Sequence, residues 1–597
     1  MQGLGSRVCG TRYGTRGTAQ AQSGGQQKKA RAQANLRRTY KTTNKTNKPN
    51  IIIDSLAGRV FNRKKMRKHL PFVMAVFVLA FLVYSNSIRN GFNFDDTTII
   101  QNNSLVRLSN LPKILVSNYW ANTPYEKGVL LYRPLPVATF ALDRALWGDK
   151  PAGFHLTNVL INAADAALVF VLLAGLFQDR LSPFVLSLCA LLFAFHPVHT
   201  EAVNMVVGRT ELLAALFGLL TFICYLHGRK PAAFGFFFLA LFSKEIAVTI
   251  PAVILLREYL DKKRVERWNY FIFAGIVLLY LAIRFAVLGG FASVHQTGML
   301  DQQHAFQRAL TVIKALGCYL RLLIIPWPLT PDYSDVPLPV SALAFGVMLP
   351  LAVILILLAA AWKLRNTASA LAFGILWFFV TILPVSNIIS IGAFLGERFL
   401  YLPSLSVSLL AASAFYHGSD QRLVKACLTG LLLVCAAFAL LTFDRNFAWQ
   451  NAPTLWASVL VHQPDNPRAH FHMAVKYEEQ KQYEKALDSY ERAVRYYPDH
   501  NWHPDSKSVA TVKEAMSRIC YDLAVKLYKE QSFDASLAYC KRAVENNDRN
   551  AEAYVVMGNI YAQKGDFRKA AEMYQNALKA NPEQFEAKEN LKRIQSR

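Results

Sequence analysis

Two periodicities that need different solvents share this chain, and their junction limits the fold more than any motif does. Apolar stretches follow one another at about 70–86, 154–177, 182–197, 204–226, 232–243, 246–260, 268–288, 340–362, 368–390, 402–417 and 426–443. A helix crosses the hydrocarbon core with roughly 20 apolar residues, so such runs read as membrane spans and exclude a soluble single-core protein. From Pro467 to Gln584 the pattern changes to a helical repeat of period 34. The expected fold is all-α: a polytopic membrane domain of about 11 spans over 70–443, a linker helix over 444–466, and a C-terminal α-solenoid over 467–590.

Only 18% of the 597 residues are charged, yet the formal charge is +26. That excess resembles a nucleic-acid signal, but residues 1–68 hold seventeen Lys and Arg against the single acid Asp54. No nucleic-acid partner is therefore expected for the folded part. The tail has too little apolar surface to offset its chain entropy and reads as a disordered cytoplasmic segment. Met66-Arg67-Lys68-His69 before Leu70 would also make a natural start to a signal anchor, and for the tail a transit peptide or an acidic-lipid or nucleic-acid contact stay open. Eight scattered cysteines without CxxC or His-partnered spacing argue against zinc and against a disulfide framework.

Short basic loops separate the spans: Gln178-Asp179-Arg180, Gly228-Arg229-Lys230, Asp261 to Arg267, Lys363-Leu364-Arg365 and Gln421 to Lys425. With the basic tail inside, eleven spans place all of these loops inside, as the positive-inside rule requires. Residues 308–326 carry Arg308, Lys314 and Arg321 and read as an interfacial helix on the outer side. The odd count puts the C-terminal repeats outside the cytoplasm. It also gathers the misplaced polar residues on one outer face: Asp95-Asp96, Arg133, His196 to Glu201, Arg209 and Glu211, Lys244-Glu245 and Glu397-Arg398. Ionisable groups at membrane depth are costly and point to function.

With Ala551 as position 1, Tyr554, Met557, Gly558, Tyr561, Ala570, Tyr574, Ala577 and Pro582 occupy positions of the tetratricopeptide pattern. The repeats are expected at 467–500, 517–550 and 551–584, and Cys520 and Cys540 fall on core positions of the second. Three repeats are near the minimum for stability, because each buries its face only by stacking. Such a module binds extended peptide or another protein, or else packs as a lid on the membrane domain.

Asp95 and Asp96 follow the first span, where aqueous and lipid substrates can meet. One carboxylate can serve as general base on a hydroxyl while the other orients it; alternatively one of them caps the next helix. The cations of the outer face suit an anionic leaving group such as a lipid phosphate. The structural alternative is pairing between neighbours: Lys244 with Glu245, Arg209 with Glu211, Glu397 with Arg398. No P-loop, HExxH or GxSxG in context is written here, which excludes ATP-driven and zinc-protease mechanisms.

Asp95-Asp96, Tyr132-Arg133-Pro134-Leu135, Phe154-His155-Leu156-Thr157-Asn158, the run Phe195 to Val203, Gly208 to Leu213, Ser243-Lys244-Glu245, Pro331-Asp332-Tyr333-Ser334 and Gly396 to Ser404, followed by tetratricopeptide repeats, stand in order. In combination they resemble the transmembrane and tetratricopeptide repeat-containing (TMTC-like) family of protein O-mannosyltransferases and its bacterial relatives. The resemblance implies a GT-C-like fold and an inverting transferase that moves a sugar from a polyisoprenyl phosphate carrier to Ser or Thr hydroxyls outside the cytoplasm. It implies that Asp95 and Asp96 supply the catalytic base; which of the two acts stays open, with a slight preference for Asp95 because it comes first after the aromatic run. Arg133, Lys244 and Arg398 would hold the donor phosphate, and His199, Glu201, Arg209, Glu245 and Glu397 would shape the sugar pocket. No metal ligand set stands out, and a divalent metal is left open. The expected partners are the membrane lipid carrier and an acceptor or partner protein bound by the repeats.

The animal members carry more repeats, so this shorter solenoid points to a bacterial relative in the inner membrane, or to an endoplasmic reticulum enzyme if the source is eukaryotic. The competing class is a non-catalytic scaffold whose repeats recruit partners, and a scaffold would tolerate Asn at 95 and 96. A transporter would instead carry mid-span charges and internal symmetry, whereas here the charges sit at span ends.

Overall fold

The computed structural model describes residues 63–177, 180–290, 304–333, 336, 341–388, 394–418, 420–496 and 507–596. The expected disorder of the basic tail falls, up to residue 62, outside these residues, as do Gln178, Asp179, Ser334 and Pro498. Among the described residues the chain is helical throughout.

The apolar stretches all form helices, but they divide unequally. Among the described residues seven helices are long and apolar enough to span: Lys68–Arg89, Pro151–Phe177, Val206–Leu226, Arg267–Leu288, Phe345–Leu364, Glu397–His417 and Gln421–Ala448. An eighth candidate is the pair Pro183–Ala194 and Pro197–Asn204, bent by 47°. Lys230–Ser243 and Ser369–Val385 are shorter apolar helices, and Ile250–Leu260 has 11 residues. A 14-residue helix such as Lys230–Ser243 rises only about 21 Å, less than the hydrocarbon core. Counting apolar residues does not reveal where the backbone leaves the helix. It does so at extended His196 and extended Lys244, extended Gly396 opens the Glu397–Leu400 turn, and the polar motifs occupy these breaks. Non-helical backbone at such depth survives only where protein surrounds it.

Burial separates centre from rim. Val206–Leu226 is 83% buried over its most apolar window and Glu397–His417 67%, against 11% for Arg267–Leu288. The rim helices expose Phe271, Leu278, Leu355, Ile356, Leu433 and Leu440, the surface that lipid would cover. Helix Ala305–Ile324 carries three basic residues and lies along Phe345–Leu364. A Cβ on Gly317 would fall 2.4 Å from Pro350 Cγ, so glycine permits this approach.

The last membrane helix leads into Ala452–His462, which starts with a reciprocal cap between Asn451 and Thr454. Paired helices follow at Pro467–Glu479 and Tyr483–Tyr496, Lys507–Lys529 and Phe533–Asn546, Ala551–Gln563 and Phe567–Ala580, with Phe585–Gln595 covering the end. Cys520 and Cys540 are fully buried in the repeat core. At Gly558 a Cβ would come within 2.5 Å of the Tyr574 ring. Gly558→Val should therefore overpack the third repeat by about 1–3 kcal/mol, seen as faster proteolysis of the C-terminal helices; unchanged resistance would show that the repeat tolerates a wider gap.

Candidate functional site

The loop after the first membrane helix is tied to the end of the last one. Gly91 N–H donates to Gln450 O at 2.9 Å and Asn93 Nδ2 to Trp449 O at 2.6 Å. Phe94 then takes φ +55°, a left-handed conformation that disfavours a side chain of its size. The two acids that follow part ways. Asp96 is fully buried and accepts backbone N–H groups from Asn93 at 3.2 Å, Val206 at 3.1 Å and Val207 at 2.8 Å. It fastens the loop to the turn before the central helix and donates no side-chain cap to the Thr97–Gln101 turn it precedes. Asp95 is half-buried, and among the described residues no hydrogen bond to its carboxylate stands beside its electrostatic neighbours Arg398, Arg468 and Glu201.

The cations arrive from separate breaks and pair across the chain. Arg133 forks onto Glu245 Oε2 at 2.8 and 3.0 Å, and Arg284 reaches Glu245 Oε1 at 2.9 Å. Lys244 pairs with Glu211 and Arg398 with Glu201, whose Oε2 also accepts the Arg398 N–H at 2.9 Å. Lys244 Nζ and the Arg398 guanidinium both lie 4.9 Å from the Phe399 ring centre. Arg133 and Arg398 are both within electrostatic reach of Lys244. Arg133, Lys244, Arg284 and Arg398 thus exceed the carboxylates of Glu201, Glu211 and Glu245 by one charge. Glu201 and Glu211 are 2% exposed at the side chain while Arg398 keeps 23%, so the acids lie beneath and the guanidinium faces outward.

None of the sequence-adjacent ion pairs forms. Neighbours in a turn project in different directions, so each cation takes a partner from another segment. Arg209 is the clearest case. It is fully buried, pairs with Asp143 at 2.6 Å, donates to Asn158 Oδ1 at 2.7 Å and Phe154 O at 2.8 Å, and stacks over Phe140. His199 is equally buried, with Nε2 2.7 Å from Ser404 Oγ and its ring against Phe193 and Tyr401. Glu397 accepts Thr330 N–H at 2.5 Å and Tyr333 O–H at 2.9 Å. The structure thus gives His199, Arg209 and Glu397 internal partners, whereas Asp95, Arg133, Glu201, Lys244, Glu245 and Arg398 come together.

Three residues of this group carried no motif signal. Tyr119 lies under Arg133 at 5.5 Å, Arg284 holds Glu245, and Arg468 comes from the first repeat. Arg284 lies within an apolar helix, where a charge is itself a signal; the other two are visible only in three dimensions.

Burial pushes the Asp96 carboxyl up to about 7, against its three backbone donors and with the Asp95 charge adding to the rise. Burial also lifts Asp95 above the usual carboxylate range, with Arg398 and Arg468 opposing. The Lys244 ammonium is brought down to about 8 by burial, with Glu211 resisting. Burial would raise Glu245, but Arg133 and Arg284 outweigh it and hold the carboxyl at about 2. The arrangement is a carboxylate able to take a proton beside a rigid cationic shelf.

Fold and site define a multi-pass helical membrane protein with tetratricopeptide repeats at its C-terminal end. The tetratricopeptide repeat family matches residues 467–500 and 551–584. The protein O-mannosyl-transferase TMTC3 of Homo sapiens is 26% identical, across 84% of this chain and 59% of its own length. The protein O-mannosyl-transferase F38B6.6 of Caenorhabditis elegans is 28% identical, across 71% of this chain and 62% of its own. For TMTC1 of Homo sapiens the values are 27%, 70% and 54%. The chain's curated relatives are thus the TMTC protein O-mannosyl-transferases its motifs resemble, and it spans about three fifths of their length.

Proposed function

We propose that this protein is a membrane glycosyltransferase that passes a sugar, mannose by analogy with its relatives, from a polyisoprenyl phosphate carrier to Ser or Thr hydroxyls of proteins on the extracytoplasmic side. The observation that carries the reading is the half-buried Asp95 carboxylate beside a shelf of cations held on cross-chain ion pairs. Asp95 takes the acceptor hydroxyl proton as the oxygen attacks the anomeric carbon from the face opposite the phosphate. The carbon–oxygen bond to phosphate breaks with inversion, and the phosphate leaves as an anion. Arg398, Lys244 and Arg133 offset the charge it gains, from positions set before the reaction. Glu201, Glu211 and Glu245 keep those cations in place. The basic loops support an inward side opposite this site.

The reading is tested in membranes with radiolabelled polyisoprenyl-phosphate mannose and polyisoprenyl-phosphate glucose, comparing the intact protein with Asp95→Asn at equal abundance. Label reaching protein only with the intact form supports it; equal transfer by both removes Asp95 as the base, and no transfer with any carrier favours a scaffold. A reporter active only outside the cytoplasm, attached after Arg597, tests the side.

The pH dependence should have two limbs of different origin. On the acid side Asp95, its carboxyl held above the usual carboxylate range by burial, loses its basic form, and Asp96 gains a proton as pH passes about 7, weakening its hold on three N–H groups. The maximal rate should then fall. As pH rises through about 8, Lys244 loses its charge, and the donor KM should rise. Initial rates at saturating and limiting donor separate the two limbs, and an alkaline fall confined to the maximal rate would exclude Lys244 as a phosphate contact.

A further inference from the structure

We propose that the repeat module completes the catalytic site, with Arg468 in the first turn of the first repeat helix acting as a positioning residue for the Asp95 carboxylate. The inference rests on Asp95 being the base. It starts from an electrostatic anomaly. Pro467 opens the Pro467–Glu479 helix and Asn466 caps it through Ala469 N–H at 2.9 Å, which puts Arg468 one residue inside the N-terminus. A cation there opposes the helix dipole, so this placement needs anionic partners.

The neighbourhood supplies them from the membrane domain. Arg468 lies 3.7 Å from Asp332 Oδ1, a long ion pair that leaves guanidinium N–H groups for a second acid. Asn466 Nδ2 donates to Asp332 Oδ2 at 3.3 Å and Gln463 Nε2 to Asp332 O at 3.2 Å, so the helix start is seated on this loop by three contacts. The guanidinium centre stands 5.0 Å from the Phe94 ring and 5.8 Å from that of Trp456. Phe94 stacks on Trp456 at 5.7 Å, and Trp456 on His472 of the repeat helix at 4.3 Å and 11°.

Phe94 is both the residue that adopts the unfavourable positive φ and the one directly before Asp95. The stack from His472 through Trp456 to Phe94 therefore braces the turn that presents the base, and Arg468 lies on that stack over the ring of the residue next to Asp95, within electrostatic reach of its carboxyl. Arg468 is among the cations that resist the burial-driven rise of the Asp95 carboxyl, together with Arg398; Glu201 acts in the opposite sense, and Asp96 and Tyr119 also face this acid. A module that came off the loop would take this charge with it. Transfer would then depend on seating of the repeats, which links acceptor capture to the competence of the base.

The test uses the full chain in membranes with radiolabelled polyisoprenyl-phosphate mannose. Arg468→Gln should lower the maximal rate about tenfold, less than loss of a general base itself. It should also move the acid limb of the pH profile to higher pH by about one unit, since a nearby cation lowers a carboxyl by that order. Arg468→Lys, which keeps the charge, should leave the limb in place. A purely structural contact would alter abundance and leave the limb of the surviving protein unmoved, and that result overturns the inference. If Arg468→Gln does not accumulate, Asp332→Asn decides: it removes the competing acid, frees the guanidinium for Asp95, and should shift the limb to lower pH, an unmoved limb again overturning it. Asp95→Asn distinguishes the two levels: full activity in that variant brings down the base assignment, whereas its inactivity with an unchanged Arg468→Gln profile brings down the role of Arg468 alone.

Discussion

Asp95→Asn is expected to reduce sugar transfer by about 10²–10⁴-fold, the range a general base contributes, without altering the thermal unfolding midpoint of the solubilised protein. Its carboxylate accepts no described hydrogen bond that an amide would break. Asp96→Ala should behave differently, because it strips acceptors from three N–H groups in a fully buried site. An unsatisfied buried donor costs about 1–3 kcal/mol, so this variant should lose abundance and unfolding temperature along with activity. Reversal of the pattern, with Asp95 governing stability and Asp96 only turnover, would exchange their roles.

Arg209→Ala should destabilise the protein by about 3–5 kcal/mol, as is usual when one member of a buried ion pair is removed. The loss leaves the Asp143 carboxylate in the core, still holding the Thr157 hydroxyl at 2.9 Å, orphans Asn158 Oδ1 and takes a second donor from the helical carbonyl of Phe154. Removing the acid as well, in an Arg209→Met, Asp143→Ala double variant, should recover part of the stability because no uncompensated charge remains. Whatever Arg209→Ala protein stays folded should keep its donor KM. A normal unfolding midpoint combined with a raised KM would return Arg209 to the sugar pocket.

These two predictions separate residues that look alike in sequence. Asp95 and Asp96 are adjacent and identical in type, yet one is half-buried beside Arg398 and the other is locked by the N–H groups of Val206 and Val207. Arg209 and Arg398 both stand beside a glutamate in a motif, yet Arg209 is enclosed by Asp143, Asn158 and Phe140 while Arg398 remains partly open above Glu201. The residue types gathered at the candidate site were legible from the loops. Their partners were not, because every ion pair of the candidate site joins segments that the membrane helices bring together.

The sequence by itself determined the class of protein: a helical membrane domain joined to tetratricopeptide repeats. Transfer of apolar side chains out of water adds up residue by residue, and the repeat recurs every 34 positions, so both signals survive without knowledge of contacts. The tertiary structure decided how the apolar stretches divide into full-length and broken helices. It also decided which acid and cation meet, and that the first repeat helix seats on the Asp332 loop with Arg468 over Phe94, next to the candidate base. Those outcomes depend on distances of a few ångströms between residues as far apart as Arg398 and Glu201 or Arg468 and Asp332. Charge pairing falls off with separation and is set by the low-dielectric surroundings that packing creates, so it is a property of the assembled fold.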